Sequence, residues 1–219
     1  MEADRPGSSR VTIGVLSLVA ATALVAALTS QITDQVINGA FVPEEYFSYF
    51  TIQTSLANLV ALVASGIYHF QSSIDTVKLA IVRHALFAYA IITGTVYNLL
   101  LRGLPTEPGK FVSEFTFPNE VLHVVMPIFL ALEWLGNPHR PRLPWWSTLV
   151  GLVYPITWAI GAVVRGHYTG WYPYDFLDPG GPAGWSGVWL HIGGIAVAIG
   201  VLLTVALGIN RLYCLISKR

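Results

Sequence analysis

Charge is what this sequence lacks most. Of its 219 residues only 11% are Asp, Glu, Lys or Arg, and 54% are hydrophobic. Mean hydropathy is +0.60. Soluble domains carry about 25% charged residues, so a water-soluble globular fold is excluded and most side chains face lipid or other apolar helices. The formal net charge is zero, which removes the electrostatic footprint of a nucleic-acid binder. Cysteine is nearly absent: Cys214 stands alone, so no intramolecular disulfide is available. That thiol beside a basic tail reads either as an S-palmitoylation site or as a plain apolar residue. The chain has no internal repeat, no low-complexity segment and no loop long enough for a soluble domain. No lysine falls within a span, which excludes a retinal Schiff base. A zinc site wants three or four ligands at close spacing; His123, His167, His191 and Asp175 could converge, but nothing like H-E-x-x-H is present. No metal and no cofactor are expected.

What remains is apolar length. Six segments approach the ~20 residues that cross a bilayer: Val11–Ser30, Ser48–Phe70, Leu79–Leu101, Pro118–Leu135, Trp146–Val164 and Ser186–Leu207. The first is too long for the usual core of a signal peptide. These segments predict an all-α integral membrane protein, one bundle of six transmembrane helices over residues 1–219. Lys and Arg set the orientation. With the N-terminus cytoplasmic, the inner side carries Arg5, Arg10, Lys78, Arg83, Arg140, Arg142, Arg211, Lys218 and Arg219. The outer side carries Arg102, Lys110 and Arg165, a split of nine to three. Both termini are therefore expected inside. Glu107 and most other acids fall outside. The sequence does not fix an oligomeric state.

Polar residues inside the spans are the next signal. Thr51, Ser55 and Asn58 share one helical face, and Ser65 and His69 continue it. Thr95, Asn98 and Arg102 form a second stripe. Asn119, Glu120 and His123 sit within one turn, and His191 lies near the outer end of the last span. At ~1.5 Å rise per residue, Thr51, His123 and His191 each lie roughly 5–8 Å below the outer boundary, with Asn98 near the same level. Polar groups from four helices thus meet in one layer. Buried polar residues of this kind face a bundle interior or a water-filled cavity. Read singly, each is a packing group; read together, they outline a site. Pro127 removes the helical hydrogen bond to the carbonyl of His123 and bends the helix there.

The stretch "RGHYTGWYPYDFLDPGGPAGW", Arg165 to Trp185, joins the last two spans. Trp171, Tyr172, Tyr174 and Trp185 suit the headgroup level, and the glycines and prolines predict a structured cap. It reads as an aromatic belt or as a lid over the polar layer. Arg165 reads as an anion-binding fork toward a substrate carboxylate or as a side chain that snorkels to the surface.

The stretches "FTIQTSLAN", "NEVLHVVMP" and "RGHYTGWYPY" resemble the androgen-induced-protein-like integral membrane family, especially its bacterial six-span relatives. The likeness covers nearly all spans, in the same order. Animal members are membrane hydrolases that cleave fatty acid esters of hydroxy fatty acids with a threonine nucleophile and a histidine. By motif position the resemblance implies Thr51 and His123 for these roles, a membrane lipid substrate, and a place in a bacterial cytoplasmic membrane. The animal pattern has a second histidine where Glu120 stands here.

A threonine hydroxyl is a weak nucleophile and needs a base within about 2.6–3.2 Å. His123 is the base in the resembling motif; His191, at the same depth, is the alternative. Glu120 or Asn119 is placed to orient the imidazole from the previous turn. Asn98 is the expected oxyanion donor, with Gln53 on the opposite helical face ranked below it. Two readings from other classes stand beside the hydrolase. One is a bis-histidine haem electron carrier, with His69 and His84 near the inner face and His123 and His191 near the outer. The other is a non-catalytic lipid-binding or transport protein, which inverted repeats would support.

Overall fold

The computed structural model describes residues 7–72, 74–103, 111 and 113–216. Arg5, Lys110, Lys218 and Arg219, used above for orientation, and Glu107 lie outside the described residues. Among the described residues the chain is helical, with no strand. Six helices are long and apolar enough to cross a bilayer: α1 (Ser8–Ile37), α2 (Phe50–His69), α3 (Val77–Leu101), α4 (Phe117–Gly136), α5 (Ser147–Thr169) and α6 (Gly184–Ile216). The chain is an integral membrane protein of the predicted six-span class. Three helices outrun their expected ends. α1 continues past Ser30 to Ile37, α5 past Val164 to Thr169, and α6 past Leu207 to Ile216. Backbone hydrogen bonding does not stop where hydropathy falls, so polar Gln31, Thr33 and Gln35 extend α1.

Packing follows residue size. α1 lies along α2, and Gly14 meets Gly66 at the crossing. A Cβ on Gly66 would come within 2.7 Å of Leu18, and one on Gly14 within 3.2 Å of the Gly66 carbonyl. Small residues let membrane helices approach where apolar burial gives no drive. α3 is central and touches α2, α4, α5 and α6. The opposite faces stay apolar and uncovered: Val60 is 69% exposed, Leu132 65% and Val197 68%. In water such a girdle would drive aggregation; in a bilayer it is solvated.

One end of the bundle is fastened by buried charge. Arg10 pairs with Asp75 at 2.7 Å, His69 reaches the same carboxylate oxygen at 3.1 Å, and all three are fully enclosed. Arg10 also donates to the Ser72 carbonyl at 2.7 Å. Burial pushes the Asp75 pKa up, but the His69 hydrogen bond and the Arg10 charge outweigh it, and the carboxyl stays below its ordinary value. Arg83 pairs with Glu133 at 2.5 Å, and Arg140 lies 3.9 Å from the Trp134 ring centroid. Asn210 of α6 accepts from the Leu143 amide at 2.9 Å. These contacts gather the start of α1, the α2–α3 and α4–α5 connections and the last turns of α6 at one end, here termed the terminal end. The α1–α2 and α5–α6 connections, the end of α3 and the start of α4 lie at the other, the site end.

Candidate active site

Thr51 owes its position to where α2 begins. Tyr49 is extended (φ −65°, ψ 133°) and caps the helix without a side-chain bond. Thr51 is therefore in the first turn, where backbone N–H groups have no intrahelical acceptor. Its hydroxyl points into the bundle, and the residue is only 9% exposed.

His123 is placed by an irregular helix. α4 starts with an α-turn, Phe117–Glu120, and changes to a π-turn over Val121–Val125 before resuming at Met126. Single π-turns inside helices concentrate at functional sites. Pro127 supplies no N–H, and the Asn98 side-chain amide donates to the His123 carbonyl at 3.0 Å. α3 also changes to a π-turn, Tyr97–Leu101, at the same level. The two helices touch closely: a Cβ on Gly94 would lie 2.8 Å from the His123 carbonyl oxygen and 2.8 Å from Pro127 Cγ.

These elements bring the alcohol and the imidazole together. Thr51 Oγ1 is 3.5 Å from His123 Nε2. His123 Nδ1 is 3.0 Å from the main-chain carbonyl of Asn119. A carbonyl only accepts, so Nδ1 carries the proton and Nε2 offers its lone pair to the hydroxyl. The Tyr97 ring lies flat on the imidazole, with centroids 3.9 Å apart and planes 17° apart. The Tyr174 hydroxyl is 3.5 Å from Thr51 Oγ1 on the other side. Burial raises the Tyr174 pKa, while the Thr51 hydroxyl and the amides of Thr51 and Phe50 at the head of α2 act against the rise.

The remaining expected site residues are placed as follows. Asn98 is beside His123, but its amide donates to the Gly94 carbonyl at 2.8 Å as well as to His123. It fastens α3 to α4 and has no hydrogen left for an oxyanion. Asn119 orients the imidazole through its backbone rather than its side chain. Glu120 turns away to pair with Arg102 at 2.5 Å, both side chains over 40% exposed. His191 is exposed, bonds the Gly187 carbonyl at 2.7 Å and stacks on Phe176; it does not border Thr51. Arg165 lies over the Trp171 ring at 4.5 Å and is not in the cavity wall. Trp171 meets Tyr49 edge-on, and Tyr172 fills the space beside Gly166. Of the three aromatics expected in a lid, only Tyr174 reaches Thr51. Gln53 binds the Phe47 carbonyl and the Tyr154 hydroxyl. His69 and His84 are fully buried at the terminal end, His69 on Asp75 and His84 between Trp134 and the Leu203 carbonyl. Among the described residues no three His, Cys, Asp or Glu side chains converge as metal ligands.

A cavity of about 370 Å³ takes in Thr51 and His123, within the range of small-molecule sites. One side is Gln31 and Gln35 of α1 with Tyr46 and Tyr49. The other is apolar, from Pro155, Ile156 and Ala159 of α5 and Ile192, Ile195 and Ile199 of α6. Ile156 is 40% exposed, so this wall reaches the lipid-facing surface. Sequence reasoning missed Tyr97, Tyr49 and the two glutamines. The glutamines carried a usable signal: they are polar at i, i+4 and directly follow an apolar run, which marks a continued helix face. Tyr97 carried none, since an aromatic residue in a span has no distinctive pattern. Comparison of the chain with protein-family models, with curated proteins and with solved structures returned no match.

Proposed function

We propose that the protein is an intramembrane lipid-ester hydrolase with Thr51 as nucleophile and His123 as base, as the resemblance to androgen-induced-protein-like hydrolases implies. The observation that carries this reading is the forced tautomer. The Asn119 carbonyl holds the Nδ1 proton, leaving Nε2 basic and 3.5 Å from the hydroxyl. That separation is longer than the 2.6–3.2 Å of a working hydrogen bond, as is common before substrate binds.

The chemistry runs in two halves. Thr51 Oγ attacks the ester carbonyl carbon while its proton passes to His123 Nε2. The oxyanion forms beside the first-turn amides of α2 and the Tyr174 hydroxyl, where the positive end of the helix dipole also favours negative charge. Collapse breaks the bond to the alcohol oxygen, which leaves with the proton from Nε2. Water then attacks the acyl-threonine with His123 again as base, releasing the fatty acid and restoring the hydroxyl. The acyl chain lies in the apolar wall between α5 and α6. The site faces the extracytoplasmic side and both termini are cytoplasmic, a reading supported by the excess of Lys and Arg at the terminal end.

A fluorophosphonate probe tests the assignment. Wild-type protein in detergent or nanodiscs should be labelled at Thr51, and Thr51→Ala should not. His123→Ala should slow labelling about 10²- to 10⁴-fold, the usual contribution of a general base. Undiminished labelling of Thr51→Ala would remove the nucleophile from the proposal.

A further inference from the structure

The cavity's charge is as informative as its shape. Among the described residues its wall contains no Lys, Arg, Asp or Glu. Its polar groups are amides, hydroxyls and one imidazole. Gln31 accepts a hydrogen bond from the Tyr46 hydroxyl at 3.0 Å, which leaves its NH₂ group to donate. The Gln35 side chain has no hydrogen-bond partner among the described residues, so both its donor and its acceptor are available. Arg102 is paired with Glu120 and rests on Tyr97, and Arg165, whose Nη1 has no hydrogen-bond partner among the described residues, lies against Trp171 outside the cavity wall. Acidic charge lies close by: after burial, the carboxylates of Glu45 and Asp175 are what raise the pKa of Tyr49, a wall residue.

We infer that the site takes an uncharged acyl ester whose alcohol portion carries hydroxyl groups, of the monoacylglycerol type, with those hydroxyls on Gln31 and Gln35 and the acyl chain on α5 and α6. This inference rests on the hydrolase reading for the bond broken, but not for the ligand's charge. A substrate carboxylate would enter a wall with no cation and pass two like charges, and an unpaired buried charge is strongly disfavoured. A glycerol head group instead meets the Gln31 NH₂ as a donor and the Gln35 amide as donor and acceptor, a set suited to vicinal hydroxyls. Hydrolysis follows the steps above: the ester C–O bond breaks, water supplies OH to the acyl carbon and H to the alcohol, and nothing is oxidised.

Two measurements separate the inference from the reading beneath it. The first uses Thr51→Ala, with no chemistry involved. Quenching of tryptophan fluorescence, Trp158 being in the wall, should report tighter binding of 1-O-octadecylglycerol than of octadecyloxyacetic acid at pH 8, by about tenfold or more, equal to ~1.4 kcal/mol. The second compares turnover of a hydroxy fatty acid oleate as its free acid and as its methyl ester. The methyl ester should be preferred by a similar factor, and Gln35→Lys should narrow that gap by restoring the free acid. Gln35→Leu should lower kcat/KM for glycerol monooleate more than for ethyl oleate, mainly through KM. Equal or better binding of the carboxylate, or a free acid turned over as well as its ester, overturns the inference. Absence of fluorophosphonate labelling with the neutral-ether preference intact would sink the hydrolase reading and leave the ligand class standing.

Discussion

At the scale of the residue, the site is a line of four polar groups with one direction. The Asn119 carbonyl fixes the proton on His123 Nδ1, so Nε2 must accept from Thr51. Thr51 then has only lone pairs left for Tyr174, which makes the phenol the donor across their 3.5 Å separation. Tyr174→Phe should therefore lower kcat by about 10- to 100-fold, a modest version of losing an oxyanion donor. Steady-state kinetics should show KM changing far less; an unchanged kcat would confine Tyr174 to packing. Depth in apolar helices marked Thr51 but left His123 and His191 level; the motifs of the resemblance named His123, and the structure places His123, not His191, beside Thr51. The orienting group was not legible, because it is a main-chain carbonyl and every residue has one. Glu120 looked like the natural orienter, yet its carboxylate pairs with Arg102, eighteen positions earlier in the chain. Only the docking of α3 on α4 decides that choice. Asn98 was read at the right depth and given the wrong task, since a side-chain amide serves a carbonyl freed by proline as readily as an oxyanion.

At the scale of the element, the site depends on how closely α3 and α4 approach. Gly94 leaves no room for a side chain against the His123 carbonyl and Pro127. Gly94→Ala should push α4 outward, break the Asn98 bond and move the imidazole from Thr51. Thermal unfolding in detergent should register an overpacking cost of about 1–3 kcal/mol. Fluorophosphonate labelling should fall further than that cost alone explains; full labelling would mean that the imidazole tolerates the shift. All six helices were legible from apolar length. The π-turns of α3 and α4 were not, because they arise from packing between two helices rather than from a pattern within either. The glutamine face of α1 was lost for a simpler reason: a hydropathy boundary at Ser30 was taken for a structural one.

At the scale of the whole molecule, the proposed site and the buried charges that fasten the bundle occupy opposite ends. Asp75 joins Arg10 of α1 to His69 of α2 in a fully buried group. Removing one member of a buried pair costs about 3–5 kcal/mol, so Asp75→Asn should lower the unfolding midpoint markedly. The pH dependence has a definite sign. The folded carboxyl titrates below its ordinary value, so it contributes stability that is complete above the unfolded pKa and is lost as pH falls through the folded one. Unfolding midpoints of the wild type should drop in acid below about pH 4, and Asp75→Asn should flatten that drop; an identical acid limb in both would absolve this carboxylate. At the other end, Ile156 in the cavity wall is 40% exposed, and on the hydrolase reading this is where a seam between α5 and α6 admits lipid sideways. A ligand arriving by that seam diffuses in two dimensions and never desorbs. Its encounter rate is then set by its mole fraction in the leaflet, so diluting it with inert lipid slows capture even when its amount per volume of solution is held constant.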